Sequence, residues 1–107
     1  MTEGLEPERP TAAPEQDTDE SVSLVPPYKV IVHNDDVTPM DFVIEVLIRF
    51  FSLSRERSNN IMLEAHNSGQ ALVAIMPLEQ AEFKVQRSHE SSRSNGYALT
   101  LTIESAE

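Results

Sequence analysis

The residues able to do chemistry in this chain fall in two short runs, His33-Asn34-Asp35-Asp36-Val37-Thr38-Pro39-Met40 and Met62-Leu63-Glu64-Ala65-His66. Each sets polar acceptors beside apolar side chains. Asn34, Asp35 and His66 offer an amide oxygen, a carboxylate and an imidazole nitrogen, while Met40 and Met62 bring flexible hydrophobic bulk. Such a pairing suits a ligand that is cationic at one end and apolar at the other. A protonated amine has three N–H donors, and burying it is costly unless acceptors meet them. A free protein N-terminus with a large first residue is a ligand of this kind.

Other chemistries fit less well. Ser, His and Asp are all present, but there is no nucleophile-elbow pattern, no His-Glu-x-x-His and no Gly-rich phosphate loop among only three glycines. The absence of cysteine excludes thiolate catalysis, disulfides and a cysteine-ligated zinc, and is compatible with a reducing compartment. A metal triad of His33, Asp35 and His66 stays open on spacing, because a strand places His33 and Asp35 on one side and Asn34 on the other. Plainer roles stay open too. Asn34-Asp35-Asp36 is also what a polar turn looks like, Met40 and Met62 are also core filler, and His66 near a helix end also offsets the helix dipole. The reading favoured is a binding protein, not an enzyme, with no cofactor and no metal.

The elements that must position these residues are legible from Pro27 onward. Tyr28 to His33 is β-rich and bounded by Pro27 and the Asn-Asp-Asp turn, which predicts a first strand. Thr38 is a plausible cap for a helix whose first position is Pro39, with Asp41 in its positive first turn, running to about Phe51. Met40, Val43, Val46, Leu47, Phe50 and Phe51 define its buried face by their three- and four-residue spacing. Ser54 caps a second helix that carries Ile61, Met62 and Ala65 on one side and ends near Asn67, with Gly69 placed for a left-handed stop. Gln70 to Met76 predicts a second strand. A third helix starts at Pro77 and is closed by Asn95-Gly96; Ala98 to Glu104 alternates as a half-buried third strand. The order is βααβαβ, an α+β sandwich in which three helices cover one face of a three-stranded antiparallel sheet.

At 107 residues the chain supports one domain with one core. The boundaries expected are 1–26 for a disordered acidic, proline-containing extension and 27–107 for the folded domain. Residues 1–27 hold seven acids and one base, so −6 of the total −10 lies there and −4 in the rest. That charge makes nucleic acid and anionic membrane poor partners. The N-terminal residues lack a basic start and an apolar block, and no run approaches the ~18 apolar residues of a membrane span, so a soluble, cytoplasmic monomer is expected.

The run Tyr28-Lys29-Val30-Ile31-Val32-His33-Asn34-Asp35-Asp36 with Thr38-Pro39-Met40, followed by Ile61-Met62-Leu63-Glu64-Ala65-His66, resembles the ClpS adaptor family over about residues 27 to 104. The resemblance implies the same fold and a function: capture of N-degrons beginning with Leu, Phe, Tyr or Trp, and delivery of their owners to a Clp AAA+ unfoldase of ClpA or ClpC type. It further implies that Asn34 and His66 accept from the ligand's α-amine, that Asp35 supplies negative charge, and that Asp36 holds the amide of the next residue. Thr38, Met40, Val43, Met62, Ala65 and Leu99 match the family's hydrophobic pocket, with Met40 as a gate that rejects β-branched Ile and Val sterically. Glu79 and Lys84 match positions through which the family docks on the unfoldase's N-terminal domain, and the N-terminal extension is the segment offered at hand-over.

Three departures stand out. Ala65 replaces a usual Val, Ile75-Met76-Pro77 stands where an aromatic followed by Thr is common, and Ser88 to Ser94 differs from an Asn-x-Tyr-Ala-Arg segment. A regulator of the unfoldase that has lost N-degron binding is therefore the alternative function. The C-terminal domain of the ribosomal stalk protein is a weaker match of similar fold, lacking the Asn-Asp-Asp turn.

Overall fold

The computed structural model describes residues 25–107, and the extension expected over 1–26 lies outside them except for Val25 and Pro26. The elements are β1 (Pro27–His33), α1 (Met40–Phe51), α2 (Arg55–Ser68), β2 (Gln70–Pro77), α3 (Leu78–Ser94) and β3 (Thr100–Ser105). β1 is the centre of the sheet, with order β2-β1-β3 and both pairings antiparallel. The βααβαβ order and the three-stranded antiparallel sheet are thus those the sequence predicts.

Register explains the core. Val32 lies opposite Ala71 on one side and Leu101 on the other, and all three are buried. Between Val30 and Ile31 the β1–β2 pairing shifts from Ala74 to Leu72, skipping Val73, which is itself buried. An irregularity of this type adds a residue to one strand and bends it locally. The helices close over these residues with Val46, Leu47, Phe51, Ile61 and Val85.

Helix starts differ from expectation by one residue. Pro39 and Pro77 are not first helical positions but the residues before them, with ψ of 145° and 151°, extended backbone. The Pro39 carbonyl accepts from Phe42 and Val43, so proline serves as an N-cap whose own N–H is not needed. Thr38 does not cap the helix; the amides ahead of it are held by Asp35, as described below.

The other punctuation acts as its chemistry demands. The Ser54 hydroxyl accepts from the Arg57 amide at 3.1 Å, and Gly69 ends α2 at φ 95° while its amide donates to Ala65. β3 starts at Thr100, two residues later than Ala98, because both backbone polar groups of Leu99 are taken by side chains of α3 and are withdrawn from the ladder.

Candidate functional site

The two chemical runs meet because α2 ends where β1 ends. The Gly69 carbonyl accepts from the Asn34 amide at 2.9 Å, and Gln70 pairs with His33 in the sheet. His66, in the last turn of α2, is thereby brought beside the segment that leaves β1. Between them and α1 lies a narrow cleft of about 20 Å3, lined by Val32, His33, Asn34, Asp35, Thr38, Met40, Val43, Met62, Ala65 and His66. Polar acceptors stand at its mouth, where Asn34 and His66 are exposed. Its depth is apolar: Met62 and Ala65 are buried, Val43 is half-buried, and Met40 stands 42 % exposed at the rim.

Asp35 has a structural position of its own. One carboxylate oxygen accepts from the amides of Val37 and Thr38 at 2.8 and 2.7 Å, and the other accepts from the Thr38 hydroxyl at 2.9 Å. Burial pushes this carboxyl up, but those two amides, that hydroxyl and the Arg93 guanidinium outweigh it and hold it below the usual carboxylate range. The cleft therefore keeps a fixed negative charge, with the second oxygen of Asp35 still able to accept.

Not every residue singled out in the sequence lines the cleft. Leu99 is 1 % exposed and sits behind it, in the same buried cluster as Val32 and Ala65. Asp36 is exposed on the turn. Glu79 is exposed in the first turn of α3, whereas the Lys84 ammonium donates to the Phe50 carbonyl at 3.2 Å and is half-buried. Val32 and His33 line the cleft without having been singled out as pocket residues, although strand alternation beside Asn34 carries the signal; the His33 Nε2 lies 2.7 Å from the Thr102 hydroxyl. Among the described residues no three His, Asp or Glu side chains are grouped to hold a metal, so His33, Asp35 and His66 share a cleft without forming a metal centre.

Fold and cleft together define a small α+β domain that presents a fixed carboxylate and neighbouring acceptors over an apolar slot. The family model for the ATP-dependent Clp protease adaptor protein ClpS matches residues 24–102. The ClpS adapter protein of Shewanella denitrificans is 46 % identical over 85 residues, 78 % of this chain and 83 % of that one. That of Vibrio cholerae is 45 % identical over 89 residues, 81 % and 84 % of the two chains. The solved structure of Agrobacterium tumefaciens ClpS2 bound to L-phenylalaninamide superposes with a TM-score of 0.72 at 34 % identity, covering 75 % of this chain and 96 % of that one. The chain belongs to the ClpS family of Clp protease adaptors. No helix among the described residues is long and apolar enough to cross a membrane.

Proposed function

We propose that this adaptor captures proteins by a free N-terminal residue with a bulky hydrophobic side chain and hands them to a Clp AAA+ unfoldase. The observation that carries the reading is the cleft itself, in which Asn34, Asp35 and His66 stand over walls made by Met40, Val43, Met62 and Ala65. L-Phenylalaninamide, the ligand named for the Agrobacterium relative, has both required parts, a free α-amine and a benzyl group. In this chain the α-amine donates to Asn34 and His66 in the field of Asp35, and Asp36 takes the following amide. The first side chain enters past Met40. Filling such a slot with Leu or Phe is worth roughly 1.5 to 3 kcal/mol, and charge-assisted bonds at the amine raise the affinity further. Thr38 contributes to the wall and fixes Asp35; Leu99 backs it.

Docking on the N-terminal domain of a ClpA- or ClpC-type unfoldase uses the start of α3, with exposed Glu79 and, about one and a half turns on, Lys84. The adaptor acts as a monomer and performs no catalysis, so degradation belongs to the unfoldase and its peptidase. The test is a fluorescence-anisotropy titration with short peptides led by Phe, Leu, Trp, Ile or acetylated Phe. Binding of free Phe, lost on acetylation and weakened for Ile, is expected. Failure of every peptide would turn the reading to an unfoldase regulator with an unused cleft.

A further inference from the structure

In the segment between α3 and β3 the backbone groups of Tyr97 and Leu99 are held by two adjacent residues, Ser92 and Arg93. Ser92, fully buried, accepts the Tyr97 amide with its carbonyl at 2.9 Å and the Leu99 amide with its hydroxyl at 3.1 Å. Arg93 reaches over the same segment: its Nη1 donates to the Leu99 carbonyl at 3.1 Å and lies 3.3 Å from both the Tyr97 carbonyl and the Ser92 hydroxyl. Four backbone groups of Tyr97 and Leu99 are therefore fixed from the last turn of α3.

What this clamp holds leans on the cleft from two directions. The Tyr97 ring meets the Phe42 ring edge-on, with centroids 4.9 Å apart and planes at 66°. Phe42 sits in the first turn of α1 between Met40 and Val43, both of which line the cleft. The Leu99 side chain belongs to the buried cluster that includes Val32 and Ala65, cleft residues from β1 and α2. The same guanidinium also acts electrostatically on Asp35. Aromatic edge contacts of this kind contribute beyond simple area burial, and a packed wall transmits displacement because the interior is close to solid density.

We propose that Ser92 and Arg93 are positioning residues of the ligand cleft, clamping the Tyr97–Leu99 segment so that Tyr97 braces Phe42 and holds the α1 turn carrying Met40 and Val43 at the width the ligand needs. Neither residue touches the ligand. The proposal rests on the cleft being the N-degron site, and a ligand-free readout keeps the two separable.

The experiment uses the full chain with Arg93→Gln, Arg93→Lys, Ser92→Ala and Tyr97→Leu. Tyr97→Leu leaves the four backbone bonds in place and removes only the brace, so it remains informative if a clamp variant fails to fold. Two signals are followed: methyl NMR resonances of Met40 and Val43 without ligand, and anisotropy with a Phe-led peptide. Arg93→Gln and Tyr97→Leu are expected to displace or broaden both methyl signals and to raise Kd about three- to tenfold. Arg93→Lys, which keeps a charged donor, is expected to recover most of the affinity, a rescue that general destabilisation would not give. Ser92→Ala is expected to speed amide exchange at Leu99. Unmoved methyl signals, or moved signals with unchanged affinity, overturn the proposal. Moved signals in a protein whose unaltered form binds no Phe-led peptide uphold the clamp and overturn the N-degron reading instead.

Discussion

Thr38 closes on Asp35 twice, through its amide at 2.7 Å and its hydroxyl at 2.9 Å, so the carboxylate that supplies the cleft's charge also shapes the turn in front of α1. A single alanine substitution at Asp35 thus mixes two losses. It hands the amides of exposed Val37 and half-buried Thr38 to water and removes the anion, at a stability cost of roughly 0.5 to 1.5 kcal/mol. Asp35→Asn separates them. The amide side chain keeps an oxygen for the two backbone donors and lacks the charge, so urea denaturation should move little while affinity for a Phe-led peptide falls by about tenfold or more. Equal stability loss in Asp35→Asn and Asp35→Ala would show that charge, and not the acceptor oxygen, holds the turn.

His89 gives a pH dependence whose sign is fixed by its bond. Its Nε2 accepts the Leu101 amide at 3.0 Å, which only an unprotonated nitrogen can do. Burial and the Arg93 guanidinium push its pKa below the ordinary 6.5. The unfolded chain then binds the proton more readily than the folded one. Stability contributed by neutral His89 is fully present above about 6.5 and is lost as pH falls through the lower folded value. Thermal melts at pH 7.5 and 5.5 should show a smaller drop for His89→Gln, whose side-chain oxygen accepts the same amide at both pH values. An identical drop in both proteins would assign the acid sensitivity elsewhere.

The fold was legible because its signals are local: the β-rich run of β1, the alternation in β3, the spacing of α1, Ser54 and Gly69 at the ends of α2. The apolar wall and acceptors were legible as residue types, since Asn34, Asp35, Met40, Met62 and His66 occur as two compact runs. What was not legible depends on side chains that bond backbone across a turn. Nothing near Leu99 in sequence announces that Ser92 and Arg93 will take its amide and carbonyl, which delays β3 by two residues. Nor does helical periodicity tell Pro as a first helical residue from Pro as an N-cap, because the two differ only in ψ.

Lys84 has a structural bond beside its proposed docking role. The resemblance assigns it to docking, while its ammonium donates to the Phe50 carbonyl at 3.2 Å, in the last turn of α1 where a cation is favoured. Lys84→Ala should therefore cost about 0.5 to 1.5 kcal/mol of stability with no partner present. Glu79→Ala, at an exposed site without such a bond, should leave stability within about 0.5 kcal/mol and affect only association with the unfoldase's N-terminal domain. Urea denaturation of both variants beside a pull-down separates fold from docking; a Lys84→Ala protein as stable as the unaltered chain would remove the structural role.

Ser58 is fully buried in α2, and its hydroxyl has no hydrogen-bond partner among the described residues. A buried hydroxyl left unmatched is unfavourable by about 1 to 3 kcal/mol. Ser58→Ala removes the orphan group and raises helix propensity, so it should raise the urea midpoint with an unchanged slope. A lowered midpoint would mean the hydroxyl has a partner after all.

Ala65 is expected to set how the cleft ranks its ligands. It is buried on α2 next to Met62 in the lining, and a Val there would add two methyl groups facing the ligand's side chain. With Ala the slot is wider and offers a Leu side chain fewer contacts, while a Phe or Trp ring spans the extra space. The unaltered protein is therefore expected to prefer Phe- and Trp-led peptides to Leu-led ones. In Ala65→Val each newly buried methyl contributes up to about 0.8 kcal/mol to a Leu contact, and the same methyls crowd an indole. The ratio of Leu to Trp affinity should rise by about tenfold, with Leu gaining and Trp losing. Parallel anisotropy titrations of the two proteins read this directly. An unchanged ratio would place the side-chain contact away from α2 and leave selection to Met40 and Val43 on α1.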